Sequence, residues 1–423
     1  MTQDLSKNAN RFVIFSVFFT ARAYYPVLAI LFLDLGLTLD QFVFLNLIWA
    51  ATIFLFEVPS GALADTIGRR TLLITASCLM LVEMLCLLFA PRDGGSVLFL
   101  LCVLNRICSG LSEACASGAD EALAYDSLPE ENRSDAWDKL LAKVMSWRSA
   151  GFVIAMILGG VLYDPKILNS ILPLNTQLSA DIVHRLPIAL VFLQALVCLL
   201  TSVRMIEPTH KHAGSTLKNA VQLTLSTARW VFTNPKLLVV ILIGVAIDSI
   251  VRNFATINSS YFRLIALPEW SYGFIGAGMG LLGLIVPTIA KHLNSRFGML
   301  TNLAIVAVAS LIGLIMLIPA WPLYGVLPAA FLMTMMGFLS FTISRALNQE
   351  ADSARRATVL SVKGLVFNLG YGLFSLSFSG LLASFPDTPA GTALRNALMW
   401  QVPFFAAVIV GLFIWANFYL RRR

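Results

Sequence analysis

Twelve runs of near-membrane length dominate this chain, and they leave few choices of fold. They fall at about 12–33, 41–63, 71–90, 96–123, 139–162, 186–205, 236–262, 271–291, 299–319, 323–344, 357–384 and 396–420. A helix of roughly 20 apolar residues crosses the hydrocarbon core of a bilayer. Only helices or closed barrels satisfy every backbone N–H and C=O in lipid. The runs are continuously apolar rather than alternating, which predicts helices. Of 423 residues, 58% are hydrophobic and 13% charged, so one soluble core cannot hide the apolar excess. Composition therefore excludes a soluble enzyme. Pro26, Pro59, Pro287 and Pro328 fall inside runs and predict kinks.

Basic residues give the orientation. With the N-terminus inside, 20 Lys and Arg fall on the cytoplasmic side, five outside and five within runs. The expectation is a multi-pass integral membrane protein with both termini cytoplasmic, in the inner membrane if bacterial. The longest cytoplasmic connection separates two sets of six runs. This predicts an N-terminal bundle at 1–205, a linker at 206–234 and a C-terminal bundle at 235–423. In the linker, Leu217, Val221, Leu225, Ala228 and Phe232 recur at helical spacing beside Lys218 and Arg229. That pattern reads as an amphipathic helix on the inner membrane surface. The six cysteines lie in apolar runs with no CxxC pair, and His210-Lys-His212 reads as a solvated cluster. No metal site, cofactor site or nucleophile constellation emerges, and no phosphate-cradling Gly-x-x-x-x-Gly-Lys-(Ser/Thr) loop is present. The expectation is a monomer that is not an enzyme, whose partners are a small-molecule substrate, protons and membrane lipids, with no nucleic acid.

Between runs two and three stands Gly61-Ala-Leu-Ala-Asp65-Thr-Ile-Gly68-Arg69-Arg70. Gly61 suits close packing, Gly68 a sharp turn, and the arginine pair an interfacial anchor. The pattern resembles the signature loop of the major facilitator superfamily, in its expected place, although Thr66 stands where a base is usual. Lys291 to Gly298 is a degenerate copy in the second half. Gly68 and Gly298 are 230 residues apart, as are Arg22 and Arg252. Arg106-Ile-Cys-Ser-Gly110 resembles a further motif of the family, whereas Ala155-Met156 before Gly159-Gly160 leaves its antiporter signature incomplete. The resemblance implies an all-α fold of twelve transmembrane helices in two pseudo-symmetric six-helix bundles. It implies that Asp65 faces the start of run eleven near Ala357. It also implies that Arg69 pairs with an acid at the inner end of run four, for which Asp120, Glu121 and Asp126 are available. Such contacts would gate the two halves.

A charge near mid-membrane costs roughly 2.5–3.5 kcal/mol, so the charges within the runs must pair or line water. By resemblance, runs one, four, seven and ten line a central cavity. They carry Arg22 with Tyr25, Arg106 with Glu113, and Asp248 with Arg252. Arg22, Tyr25, Arg106 and Arg252 are the expected substrate-binding residues. Two guanidinium forks, Arg22 and Arg252, could grip a carboxylate or phosphate from opposite halves. The alternative is structural pairing of these arginines with Asp248 and Glu113. Glu113 and Asp248 are the expected proton carriers. Glu83 in run three reads as structural. The expected function is secondary active transport of an anionic or zwitterionic organic solute, by proton-coupled efflux and alternating access. The alternatives are a multidrug/proton antiporter for hydrophobic or cationic compounds, and an anion exchanger without proton coupling.

Overall fold

The computed structural model describes residues 5–173, 177–208, 217–350, 356–386 and 388–421. The side chains of Asp65 and Ala357 and the His210–His212 cluster lie outside the described residues. Twelve helices are long and apolar enough to cross a membrane. They are Ser6–Asp34, Leu39–Ala64, Arg69–Leu88, Ser96–Asp126, Glu130–Tyr163, Ala180–Arg204, Pro235–Leu264, Ser271–Arg296, Met299–Leu317, Val326–Glu350, Thr358–Ala383 and Gly391–Leu420. They are called spans one to twelve below. The end carrying Gly68 is the loop end, and the opposite end is the distal end.

Span one is not one continuous helix. It is helical over Ser6–Thr20, opens at 21–24, and resumes through Tyr25–Val27 and Leu28–Asp34. Pro26 lies in the short turn that restarts it. The opening frees backbone groups that must be satisfied. Gln194 of span six donates Nε2–H to the Ala21 carbonyl at 2.9 Å. Span five comes so close that a Cβ on Gly159 would lie 1.6 Å from the Ala23 carbonyl oxygen. The neighbouring Gly160 faces the other half, where a Cβ would meet Gly273 N at 2.7 Å. The Gly-Gly pair thus fits two backbone crossings.

The halves meet where span one faces seven, two faces eleven and five faces eight. The N–H groups of Ala29 and Ile30 donate to Ser259 Oγ at 3.0 and 3.3 Å. Ala29 and Ser259 are separated by the same 230 residues as Arg22 and Arg252. Equivalent positions of two repeats touch each other only near their symmetry axis, so spans one and seven flank it. Spans two and eleven stay together from Ser379, bonded to the Asp40 carbonyl, to Gly372 against Leu47 and Ala50. Spans five and eight are joined near the distal end, with Gly280 against Phe152 toward the loop end. There a cavity of about 650 Å³ opens, lined by Thr20, Arg148, Phe152, Ile154 and Leu281.

The linker helix spans Leu217–Thr233. Thr227 and Val231 are buried, and the helix packs against spans two, seven and eleven. Val221, Leu225 and Phe232 stay exposed along one stripe, with exposed Lys218 and Arg229 at its edge.

Candidate functional site: charged walls between two helical bundles

The signature loop is a single-residue turn. One helix ends at Ile67, the next begins at Arg69, and Gly68 holds φ +94° between them. The first N–H groups of a helix lack intrahelical acceptors. Here Glu207, just past span six, accepts from the Arg69 and Arg70 N–H groups at 3.0 and 2.7 Å. A Cβ on Gly68 would lie 3.1 Å from that carboxylate. Of the three acids expected near Arg69, Asp126 forms the ion pair. Asp120 instead accepts the Glu121 N–H at 2.8 Å. Gly61 has open space around it rather than a packed helix.

Arg22 departs furthest from expectation. It is 2% exposed and pairs with Glu83 of span three, which is wholly buried. Its Nη1 lies 2.6 and 2.8 Å from the two Glu83 oxygens and 2.9 Å from the Tyr24 hydroxyl. Tyr24 in turn donates to Glu83 at 3.0 Å. The break in span one turns Arg22 inward between spans three and four. Neither Glu113 nor Asp248 is its ion-pair partner. Glu83, read from sequence as structural, is the counter-ion of Arg22, a pairing that sequence reasoning did not assign.

Arg252 and Asp248, one turn apart, form an ion pair at 2.7 Å. Arg252 also donates to Asn368 at 2.9 Å and lies over the Tyr371 ring at 5.4 Å. Tyr371 meets Trp49 of the other half edge-on at 6.3 Å. A cavity of about 180 Å³ is lined by Asp248, Arg252, Ser340, Lys363 and Asn368. Lys363 has no ion pair among the described residues and sits 5.1 Å from the Phe367 ring. Arg22 and Arg252 therefore occupy separate walls with separate carboxylates. The clamp expected from their shared register is not assembled in this conformation.

Arg106 is buried without an ion pair among the described residues, its guanidinium 4.6 Å from the Phe32 ring. Gly110 serves span two, since a Cβ there would meet Thr52 at 2.8 Å. Glu113 is half-buried and also has no ion pair among the described residues. It lines a second cavity, of about 400 Å³, with Arg22, Tyr25, Asp120, Glu121 and Arg148. This cavity shares Thr20 and Arg148 with the larger one between spans five and eight.

At the distal end a cluster not expected from sequence ties the halves together. Asp34 of span one receives both Arg263 Nη groups at 2.7 and 2.8 Å. It also accepts from the Tyr163 hydroxyl at 2.6 Å, with His184 Nδ1 at 3.8 Å. The same guanidinium pairs with Glu269. Trp270 N–H reaches Asp164 at 3.3 Å.

The halves touch at the distal end, and cavities lined by charged side chains open nearer the loop end. The family model described as Major Facilitator Superfamily matches residues 12–375. The chain belongs to the major facilitator superfamily. It is thus a multi-pass membrane transport protein. Among solved facilitator structures, the nucleoside transporter NupG aligns over 98% of this chain and 99% of its own, with a TM-score of 0.76 and 10% identity. A D-xylose-proton symporter aligns over 94% and 96%, with a TM-score of 0.64 and 15% identity. At these identities the likeness shows the fold alone. By sequence, the chain is 25% identical over 232 residues to quinolone resistance protein NorA of Staphylococcus aureus (strain MRSA252), covering 55% of this chain. The match spans about half, 53%, of that relative's length.

Proposed function

We propose that this facilitator exports an amphipathic zwitterion in exchange for protons by alternating access, with its loop end and both termini cytoplasmic. The observation that carries the reading is the charge difference between the two walls. In the first half, Glu113, Asp120 and Glu121 face the cavity with Arg148, while Arg22 is already neutralised by Glu83. In the second half, Arg252 and Lys363 face theirs with Asp248. A solute whose cationic end meets the first wall and whose anionic end meets the second leaves the fewest charges unpaired. The apolar side chains Phe152, Ile154 and Leu281 receive its body.

Glu113 is the proton carrier of the first wall and Asp248 that of the second. A carboxylate with no fixed cation can hold either a proton or the cationic end of the solute, but not both. That competition couples the two fluxes in opposite directions. Asp248 reaches the same condition when the solute's anion takes Arg252 and Lys363 from it. Tyr25 completes the lining of the first cavity, while Arg106 lies buried against the Phe32 ring. The bias of basic residues toward the loop end supports the orientation. The partial likeness to a quinolone resistance protein favours export.

The test is flux in proteoliposomes under an imposed pH gradient, with zwitterionic, cationic and anionic solutes offered in parallel. Glu113→Gln should reduce uphill flux at least tenfold, about 1.4 kcal/mol or more of lost coupling. Lys363→Met should weaken zwitterions and anions while sparing cations. Full uphill transport by Glu113→Gln would overturn the proposal.

A further inference from the structure

We propose that Glu269, in the turn between spans seven and eight, is a third proton-binding group of the transport cycle, loaded as the distal end closes and emptied as it opens. This rests on the proton-exchange reading above and extends it to the opposite face of the molecule. The geometry is a competition of two carboxylates for one guanidinium. Asp34 holds both Nη groups of Arg263 in a bidentate pair. Glu269 is left with the flank of Nη2. A third acid, Asp164, is drawn in through Trp270 N–H, while its Oδ1 caps Lys166 N–H at 2.9 Å.

The groups facing this cluster come from every element packed around it. Arg263 and Tyr272 flank Glu269 from spans seven and eight. Asp34 comes from span one, Tyr163 and Asp164 from the end of span five, and His184 from span six. His184 stacks on Tyr163 at 4.4 Å, and Arg92 and Asp181 pair with each other beyond it. With the three carboxylates ionised, Arg263 is the one fixed cation among the groups in contact with Glu269. A proton on Glu269 relieves that excess without disturbing the Asp34–Arg263 pair. In the closed form, burial raises the Glu269 carboxyl above its ordinary value. Arg263 pulls it back, and Asp34 and Asp164 add to the rise.

Opening the distal end reverses each effect. Arg263 and Glu269 belong to the second half, and Asp34, Tyr163, Asp164 and His184 to the first. When the halves part, Glu269 regains water and keeps Arg263 to itself, so the proton leaves to the distal solvent. Closing takes one up again. The sign follows: the closed form binds more protons, so acidification from the distal side favours closing, above the ordinary carboxylate pKa of 4.5.

The experiment measures distal separation by spin-label distances between Lys166→Cys and Tyr324→Cys in nanodiscs. Cys78 and Cys115, which are not buried, are replaced by Ala so that labelling is confined to the new sites. The closed-distance population should rise relative to the open one between pH 8 and pH 5, by no more than about tenfold per pH unit, the limit for one proton-linked group. Glu269→Gln should hold the closed distance at both pH values and abolish most of that response. Glu269→Asp, tested for rescue, should restore it. A flat wild-type response, or a response unchanged in Glu269→Gln, overturns the proposal. Uphill transport through Glu113 can still be pH-driven in that case, so the two readings fail separately. A pH-dependent gate with no pH-driven flux would remove the exchange reading and leave Glu269 as a gate.

Discussion

Burying an arginine is costly, and Arg22 shows how one chain manages it. The guanidinium is held by Glu83, the Tyr24 hydroxyl and Ser109 Oγ, at 3.3 Å, in the core of the first bundle. Removing one partner of such a pair leaves an uncompensated charge, at about 3–5 kcal/mol. Glu83→Gln should therefore lower the thermal unfolding temperature of the purified protein sharply. The double change Arg22→Met with Glu83→Leu should recover much of that loss, because the buried charge is then gone. If Glu83→Gln leaves the melting temperature unaltered, the pair is not structural. The sequence disclosed that Arg22 needs a partner, but not which one. Glu83 lies 61 residues away on span three, and the pairing depends on a helix break that hydropathy does not register. Asp248 and Arg252 were legible because four residues on one helix bring them together whatever the tertiary fold.

Helix boundaries depend on atoms that periodicity cannot see. The twelve apolar runs became twelve spans because length and hydropathy decide membrane insertion almost alone. The single-residue turn at Gly68 was legible as a turn. Its second support was not, because Glu207 comes from beyond span six and meets the loop only in the folded molecule. Two predictions separate these supports. Gly68→Ala forces a side chain to φ +94° and against Glu207, and should cost about 1–3 kcal/mol. Glu207→Ala leaves the Arg69 and Arg70 N–H groups without their acceptor and should cost about 0.5–2 kcal/mol. Chemical or thermal unfolding in one detergent reads both. If the double variant costs the full sum, the two act independently; a smaller cost shows that the glycine serves chiefly to admit the carboxylate.

Two of the contacts that hold the halves together at the distal end can be tested apart. One is electrostatic, Asp34 with Arg263. The other is steric, the crossing of spans five and eight at Gly160 and Gly273. A Cβ on Gly273 would lie 2.1 Å from the Met156 carbonyl oxygen, which is backbone and cannot swing away. Gly273→Val therefore disfavours closure without removing any charge, while Arg263→Ala removes the bridge without adding bulk. Both should shift the population toward a distal-open form. A loss of about 2.7 kcal/mol would move the equilibrium roughly a hundredfold. Reactivity of a cysteine placed at Leu33, beside the cluster, toward a membrane-impermeant reagent added from the distal side reads that shift. The variants differ in their response to acid. Gly273→Val keeps the carboxylates and their guanidinium, so its reactivity should still fall as the distal side is acidified. Arg263→Ala removes the cation for which Asp34 and Glu269 compete, and its response should be displaced toward higher pH. Equal responses in the two variants would mean that closure depends on packing alone, and that the ion cluster rides on it.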